Sequence, residues 1–265
     1  VLDQLNNLEK WLRSGLRVTL LHCIDTERLG DQTITEKKET AEVKMQEIAS
    51  KYMQSKMDRN HVSIEIIPER FEYLDQHFLE ERDFDFVILG THGKDFEDYA
   101  TSTNTSDHVL RHFANYIVLR DHVTVRPIKR VLLCTDYNFD HVGQFEELKT
   151  LVKTQEADIT LFYIKNKPLT DHQNRNREEL MWYLGTEDCV DQEMEENVYM
   201  DIVKYSDEND YDLLVTLPYH TSFFSDLTGH MSIVKKLVQF SKVPLLVLNN
   251  RAKNSKTERL ILESH

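Results

Sequence analysis

Three segments of this 265-residue chain occur twice, in the same order. "VTLLHCI" (18–24) returns as "ITLFYI" (159–164), "DFDFVILGTHG" (83–93) as "DYDLLVTLPYH" (210–220), and "HVLRHFANYIVLR" (108–120) as "KKLVQFSKVPLLVLN" (235–249). The spacing changes once, between the first and second pairs, and then holds. Self-similarity over more than a hundred residues means two copies of a domain; a solenoid would repeat at a far shorter period. The expected division is residues 1–122, residues 128–250 and a tail of 251–265, with "RDHVTVRPIKR" (120–130) at the junction.

Within each copy, short apolar runs alternate with helical periodicity. In the first, Leu5, Leu8, Leu12 and Leu16 mark one helix face, and Ala41, Met45, Ile48, Ala49 and Tyr52 another. The runs "RVTLLHCI", "VSIEII" (62–67), "FVILG" and "YIVL" (116–119) read as buried strands, with helices through Phe71, Leu74 and Phe78 and through Val109, Leu110 and Phe113 between them. Alternation of this kind predicts an α/β fold: two tandem doubly wound domains, each a five-stranded parallel sheet with helices on both faces. The second copy opens with a strand, "KRVLLCTD" (129–136), that nothing in the first copy matches. A parallel sheet without an interior strand leaves backbone groups without partners, so the first domain is expected to be missing its first strand in this sequence. The stretch 165–197 is acidic and shows no clear period.

Composition removes several function classes. The formal charge of −14 disfavours nucleic acid as a partner, because phosphate binding draws on clustered Lys and Arg. Cys23, Cys134 and Cys189 stand apart, with no C-x-x-C pair, which points away from a disulfide framework or a cysteine zinc site and toward a cytoplasmic location. No apolar run reaches the length that spans a bilayer, so no direct membrane insertion is expected.

The segments "TLLHCID", "DFVILGTHG" and "SDHVLRHFANYIVL" together resemble a universal stress protein domain, and the full chain resembles the tandem form of that family. The resemblance implies a phosphate-binding loop of pattern G-x2-G-x9-G-[S/T] between the fourth strand and the last helix. Gly90 and Gly93 have that spacing, but the third position is Thr103, followed by Asn104 and Thr105. Glycine there permits positive φ and close approach of N–H groups to phosphate, whereas β-branched threonine disfavours it. Asn104, Thr105 and the N–H groups of the following helix are the candidates to compensate. The resemblance further implies a backbone contact to adenine at Cys23 and an acidic contact near the ribose at Asp136, which ends the first strand of the second copy. ATP or another adenine nucleotide, with Mg²⁺, is the implied ligand, bound weakly or not at all. In the second copy Leu217 and His220 replace the two loop glycines and Pro218 removes a donor, so no nucleotide is expected there. The plainer reading of Asp136 is a cap or turn residue.

Other chemistry has little support. His108 and His112 share a helix face at metal-ligand spacing, yet without the acidic residue of H-E-x-x-H the pair is read as helix surface. Asp95, Glu97 and Asp98 would repel an anion unless Mg²⁺ bridged them. No nucleophile elbow, Walker loop or zinc-hydrolase helix is present, so no catalytic and no metal residues are assigned. The expected function is stress-linked regulation through binding, not catalysis. The rivals are a soluble regulatory domain of a membrane transporter, as such domains are appended to antiporters, and a slow ATP hydrolase recommended only by Gly90 and Gly93. The family pairs its final strands across a dimer, which implies intramolecular pairing of the two domains through "YIVLR" and "PLLVLNN". A homodimer and an unidentified protein partner are the further associations considered.

Overall fold

The computed structural model describes residues 18–24, 26, 30, 32–53, 62–68, 87–90, 116–119, 126–165, 167–217 and 233–248. Among these, the elements fall into two compact units, each taken by itself below. The helices expected through Leu5–Leu16, Phe71–Phe78 and Val109–Phe113 lie outside the described residues.

The smaller unit contains β1 (Val18–Cys23), α1 (Ile34–Met53) and β2 (Val62–Ile67). The strands pair in parallel from Val18 opposite Val62 to Cys23 opposite Ile67. Helix α1 starts at a capping box written in the sequence as Thr33-Ile-Thr-Glu36. The Glu36 amide donates to Thr33 Oγ1 at 3.2 Å, and the Thr33 amide donates to Glu36 Oε2 at 2.8 Å, which satisfies two amides that helix geometry would leave open. Ala41, Met45 and Ala49, four residues apart, are the buried side of the helix.

The larger unit is a seven-stranded sheet in the order β3-β4-β9-β8-β5-β6-β7. Here β3 is Val87–Gly90, β4 Tyr116–Leu119, β5 Arg130–Cys134, β6 Asp158–Lys165, β7 Cys189–Glu193, β8 Leu213–Thr216 and β9 Leu245–Val247. The five strands of the second copy are all parallel, and in chain order their arrangement is 3-2-1-4-5. Central β5 reads as an unbroken apolar run because both its faces are covered: Val131, Leu132 and Leu133 are fully buried. Its start is tied to β8 by Asp212, whose Oδ2 accepts from the amides of Lys129 and Arg130 at 2.9 and 3.0 Å.

Helices α2 (Glu146–Gln155), α3 (Asp171–Leu184), α4 (Val198–Glu208) and α5 (Ile233–Phe240) supply the crossovers. Right-handed connections place α2 and α3 on one face and α4 and α5 on the other. Tyr199 of α4 stacks on Phe240 of α5 with ring centroids 5.5 Å apart. Helix α3 and strand β7 occupy the acidic stretch in which the sequence shows no period. Helix α3 buries only Asn176, Leu180 and Leu184, so a polar residue interrupts its apolar stripe. Strand β7 lies at the sheet edge and carries Asp191 and Gln192 in place of an apolar run.

The first copy repeats the outer pairings of this sheet. β1 pairs with β2 as β6 pairs with β7, and β3 pairs with β4 as β8 pairs with β9. In the second copy β6 and β8 both pair with β5; no counterpart of β5 precedes β1 among the described residues. Strand β4 runs antiparallel to β9, with Tyr116 opposite Val247, Ile117 opposite Leu246 and Val118 opposite Leu245. Ile117 and Leu246 are both buried at this join, so the closing strand of one copy covers the closing edge of the other.

Candidate functional site

In an open parallel sheet the ligand crevice lies beyond the carboxyl ends of the strands where the order reverses, which in the second copy is between β5 and β8. The chain leaving β5 there is Thr135-Asp136-Tyr137-Asn138-Phe139. The Thr135 amide donates to the Phe162 carbonyl at 3.1 Å and prolongs the sheet by one bond. Two side-chain turns follow. The Tyr137 amide donates to Thr135 Oγ1 at 2.9 Å and the Asn138 amide to Asp136 Oδ1 at 3.0 Å, local bonds typical of hydroxyl and carboxylate residues after a strand. Asp136 is thus a buried turn residue.

Tyr137 takes a left-handed backbone, φ 58°, a conformation that costs a side-chain-bearing residue energy unless its surroundings fix it. The fixing groups come from α3. Gln173 Nε2 donates to the Asp136 carbonyl at 2.8 Å, and Asn176 Nδ2 donates to the carbonyls of Tyr137 and Phe139 at 2.8 and 2.9 Å. Gln173 is itself held in a capping box with Thr170. The Tyr137 ring is completely buried, its centroid 5.8 Å from that of Tyr163, and its hydroxyl is 3.2 Å from Cys189 Sγ. Burial, reinforced by the bond to Cys189, pushes the Tyr137 phenol well above its ordinary range. Burial also raises the Tyr163 phenol, with the carboxylates of Asp136 and Asp191 adding to the effect. Arg177 Nη1 bonds Asp191 Oδ2 at 3.0 Å beside this cluster.

In the second copy the loop after β5 is therefore bonded within the chain. Three carbonyls along the loop accept from α3, and an oxygen of the Asp136 carboxylate holds the Asn138 amide. Sequence reasoning passed over Gln173, Asn176 and Tyr137; the one available signal was "TDHQ" (170–173), a Thr-x-x-Gln capping pattern inside the acidic stretch.

The residues predicted for the first copy are less fully covered. Gly90 is the last residue of β3, opposite Leu119. Cys23 is the last residue of β1, opposite Ile67, and is half-buried. Gly93, Thr103, Asn104 and Thr105 lie outside the described residues, as do Asp95, Glu97, Asp98, His108 and His112. Gly90 belongs to the seven-stranded sheet and Cys23 to the two-stranded one. Among the described residues no group of three or more His, Cys, Asp or Glu side chains is placed to hold a metal ion, and no helix is long and apolar enough to cross a membrane.

No protein-family model matches the chain, and no curated protein is similar to it in sequence. Solved structures are similar. A universal stress protein from Archaeoglobus fulgidus superposes with TM-score 0.65 at 17% identity, covering 94% of this chain and 90% of that one. A putative universal stress protein from Pseudomonas aeruginosa UCBPP-PA14 gives 0.52 at 13% identity over 89% of this chain and 94% of that one. A functionally unknown protein from Pseudomonas aeruginosa PAO1 gives 0.52 at 12% over 92% and 94%. At such identities the likeness is one of architecture, and it extends over nearly the full length of both partners in each comparison. The chain has the universal stress protein fold.

Proposed function

We propose that this chain is a regulatory binding protein of the universal stress protein type that acts through its surfaces and not through turnover of a nucleotide. The observation that supports the reading is the loop after β5 in the second copy, whose carbonyls accept from Gln173 and Asn176 of the chain itself, within a fold shared with universal stress proteins. Any adenine nucleotide, with Mg²⁺, is assigned to the first copy, at the Gly90–Gly93 loop, and binds weakly there because Thr103 stands where a glycine would let the backbone close on phosphate. The two copies act as one covalent pair joined through β4 and β9, a reading supported by their antiparallel register. Cys23, Cys134 and Cys189 are not joined in disulfides, in keeping with a reducing cytoplasm.

The test is titration calorimetry of the full chain with Mg-ATP, alongside mass spectrometry of small molecules released when the purified protein is denatured. Weak or undetectable binding by the parent and a gain on Thr103→Gly are expected. Tight binding that survives loss of the first-copy loop through Gly90→Val, or sustained ATP hydrolysis, would overturn the proposal.

A further inference from the structure

Trp182 is 83% exposed near the carboxyl end of α3, the most exposed of the large apolar side chains among the described residues. An indole left in water is unusual, and its neighbours are anionic. Glu178 and Glu179 precede it by four and three residues and so stand beside it on the helix surface; Glu187 follows just beyond the turn at Gly185. All three carboxylates are exposed, and none forms an ion pair among the described residues. Arg175, also exposed, lies about two turns away toward the start of the helix.

Cations from the chain itself lie over three of its tyrosine rings. Lys149 Nζ sits 3.8 Å from the centroid of Tyr183, the residue next to Trp182. Arg130 covers Tyr211 at 4.8 Å and Lys236 covers Tyr199 at 4.6 Å. Each of these rings carries a cation from its own chain. Trp182 offers the strongest ring for such a contact, is flanked by carboxylates that would draw a cation toward it, and has none over it among the described residues.

We propose that the Trp182 face of α3 docks a basic segment of a partner protein, with one arginine or lysine seated over the indole and neighbouring basic residues paired to Glu178, Glu179 and Glu187. Charge complementarity selects this occupant. A second copy of the chain would bring another strongly negative molecule, and an anionic membrane surface would be repelled. Arginine fits best, since its planar guanidinium stacks on an indole while its edge reaches a carboxylate.

The full chain is titrated with a blocked glycine–arginine repeat peptide, and the indole Nε1–H signal of Trp182, assigned by its loss in Trp182→Phe, is followed by NMR. Saturable movement of that signal is expected. Trp182→Ala should weaken the peptide about two- to fivefold, the size of an exposed cation–π contact, with Trp182→Phe in between. Glu178→Gln combined with Glu179→Gln should weaken it further and flatten its salt dependence. Equal affinity for the Trp182→Ala chain would mean the peptide responds only to overall charge, and the proposal would fall. It would also fall if a glycine–leucine peptide bound as tightly, or if the Trp182 signal stayed still through saturation. Because the side chain is on the surface, far-UV circular dichroism of the variants should match the parent and keep all of these outcomes interpretable.

Discussion

Asn176→Ala tests whether α3 holds the end of β5. The parent side chain is buried and its amide nitrogen donates to two carbonyls, those of Tyr137 and Phe139. Alanine removes both donors and leaves two acceptors in a region where Tyr137 and Phe139 are themselves buried. A buried acceptor left without a partner costs about 1–3 kcal/mol, so the pair is worth about 2–4 kcal/mol once partial entry of water is allowed for. The assay is native-state hydrogen exchange at Val131, Leu132 and Leu133 of β5, amides in the most buried strand of the sheet, which exchange through large-scale opening. Protection there should fall by about 30- to 900-fold. Gln173→Ala, which removes one bond to Asp136 from a less buried side chain, should have a smaller effect. If Asn176→Ala lowers protection by less than about threefold, the loop is held by its own turns and α3 is not what holds it.

Other expectations follow from single positions. Glu156 ends α2 in a left-handed conformation, φ 50°, so Glu156→Gly should raise stability by about 0.5–1 kcal/mol, read as a higher thermal midpoint. Thr33→Ala removes one arm of the α1 capping box and should cost about 1 kcal/mol, read as reduced amide protection in the first turn of α1. The same box gives a pH dependence: hydrogen bonds from the Thr33 backbone and side chain hold the Glu36 carboxyl below its ordinary range. Its contribution is complete above the ordinary carboxylate range and is lost as pH falls through the depressed folded value, so first-turn protection should drop on acidification in the parent and not in Glu36→Gln. Val118→Pro places a residue without an N–H in β4, between Leu89 and Leu245, at a cost of about 3 kcal/mol or more. Limited proteolysis should then cut between β4 and β5 sooner than in the parent; an unchanged digestion pattern would show that this pairing does not hold the segment.

Much of the architecture was legible in the residues because the strands of a covered parallel sheet carry their environment in their composition. "VSIEII" and "YIVL" could be bounded to the residue, and "KRVLLCTD" (129–136) contains β5, Arg130–Cys134, with one extra residue before it and two after, since β-branched and apolar runs of that length have few other uses. The repeat then set the order of elements, and the first copy contains no segment that matches β5. Tertiary structure decided what no local pattern encodes. The edge strand β7 needs only one covered face and tolerates Asp191 and Gln192, so its sequence does not announce a strand. Asn176 sits in a buried stripe because two carbonyls from a loop 37 and 39 residues away require a donor, a demand invisible from α3 itself. For the same reason the sequence could not say what holds the loop after β5: a hydrogen bond is specified by two partners, and where they lie far apart in the chain only the fold brings them together.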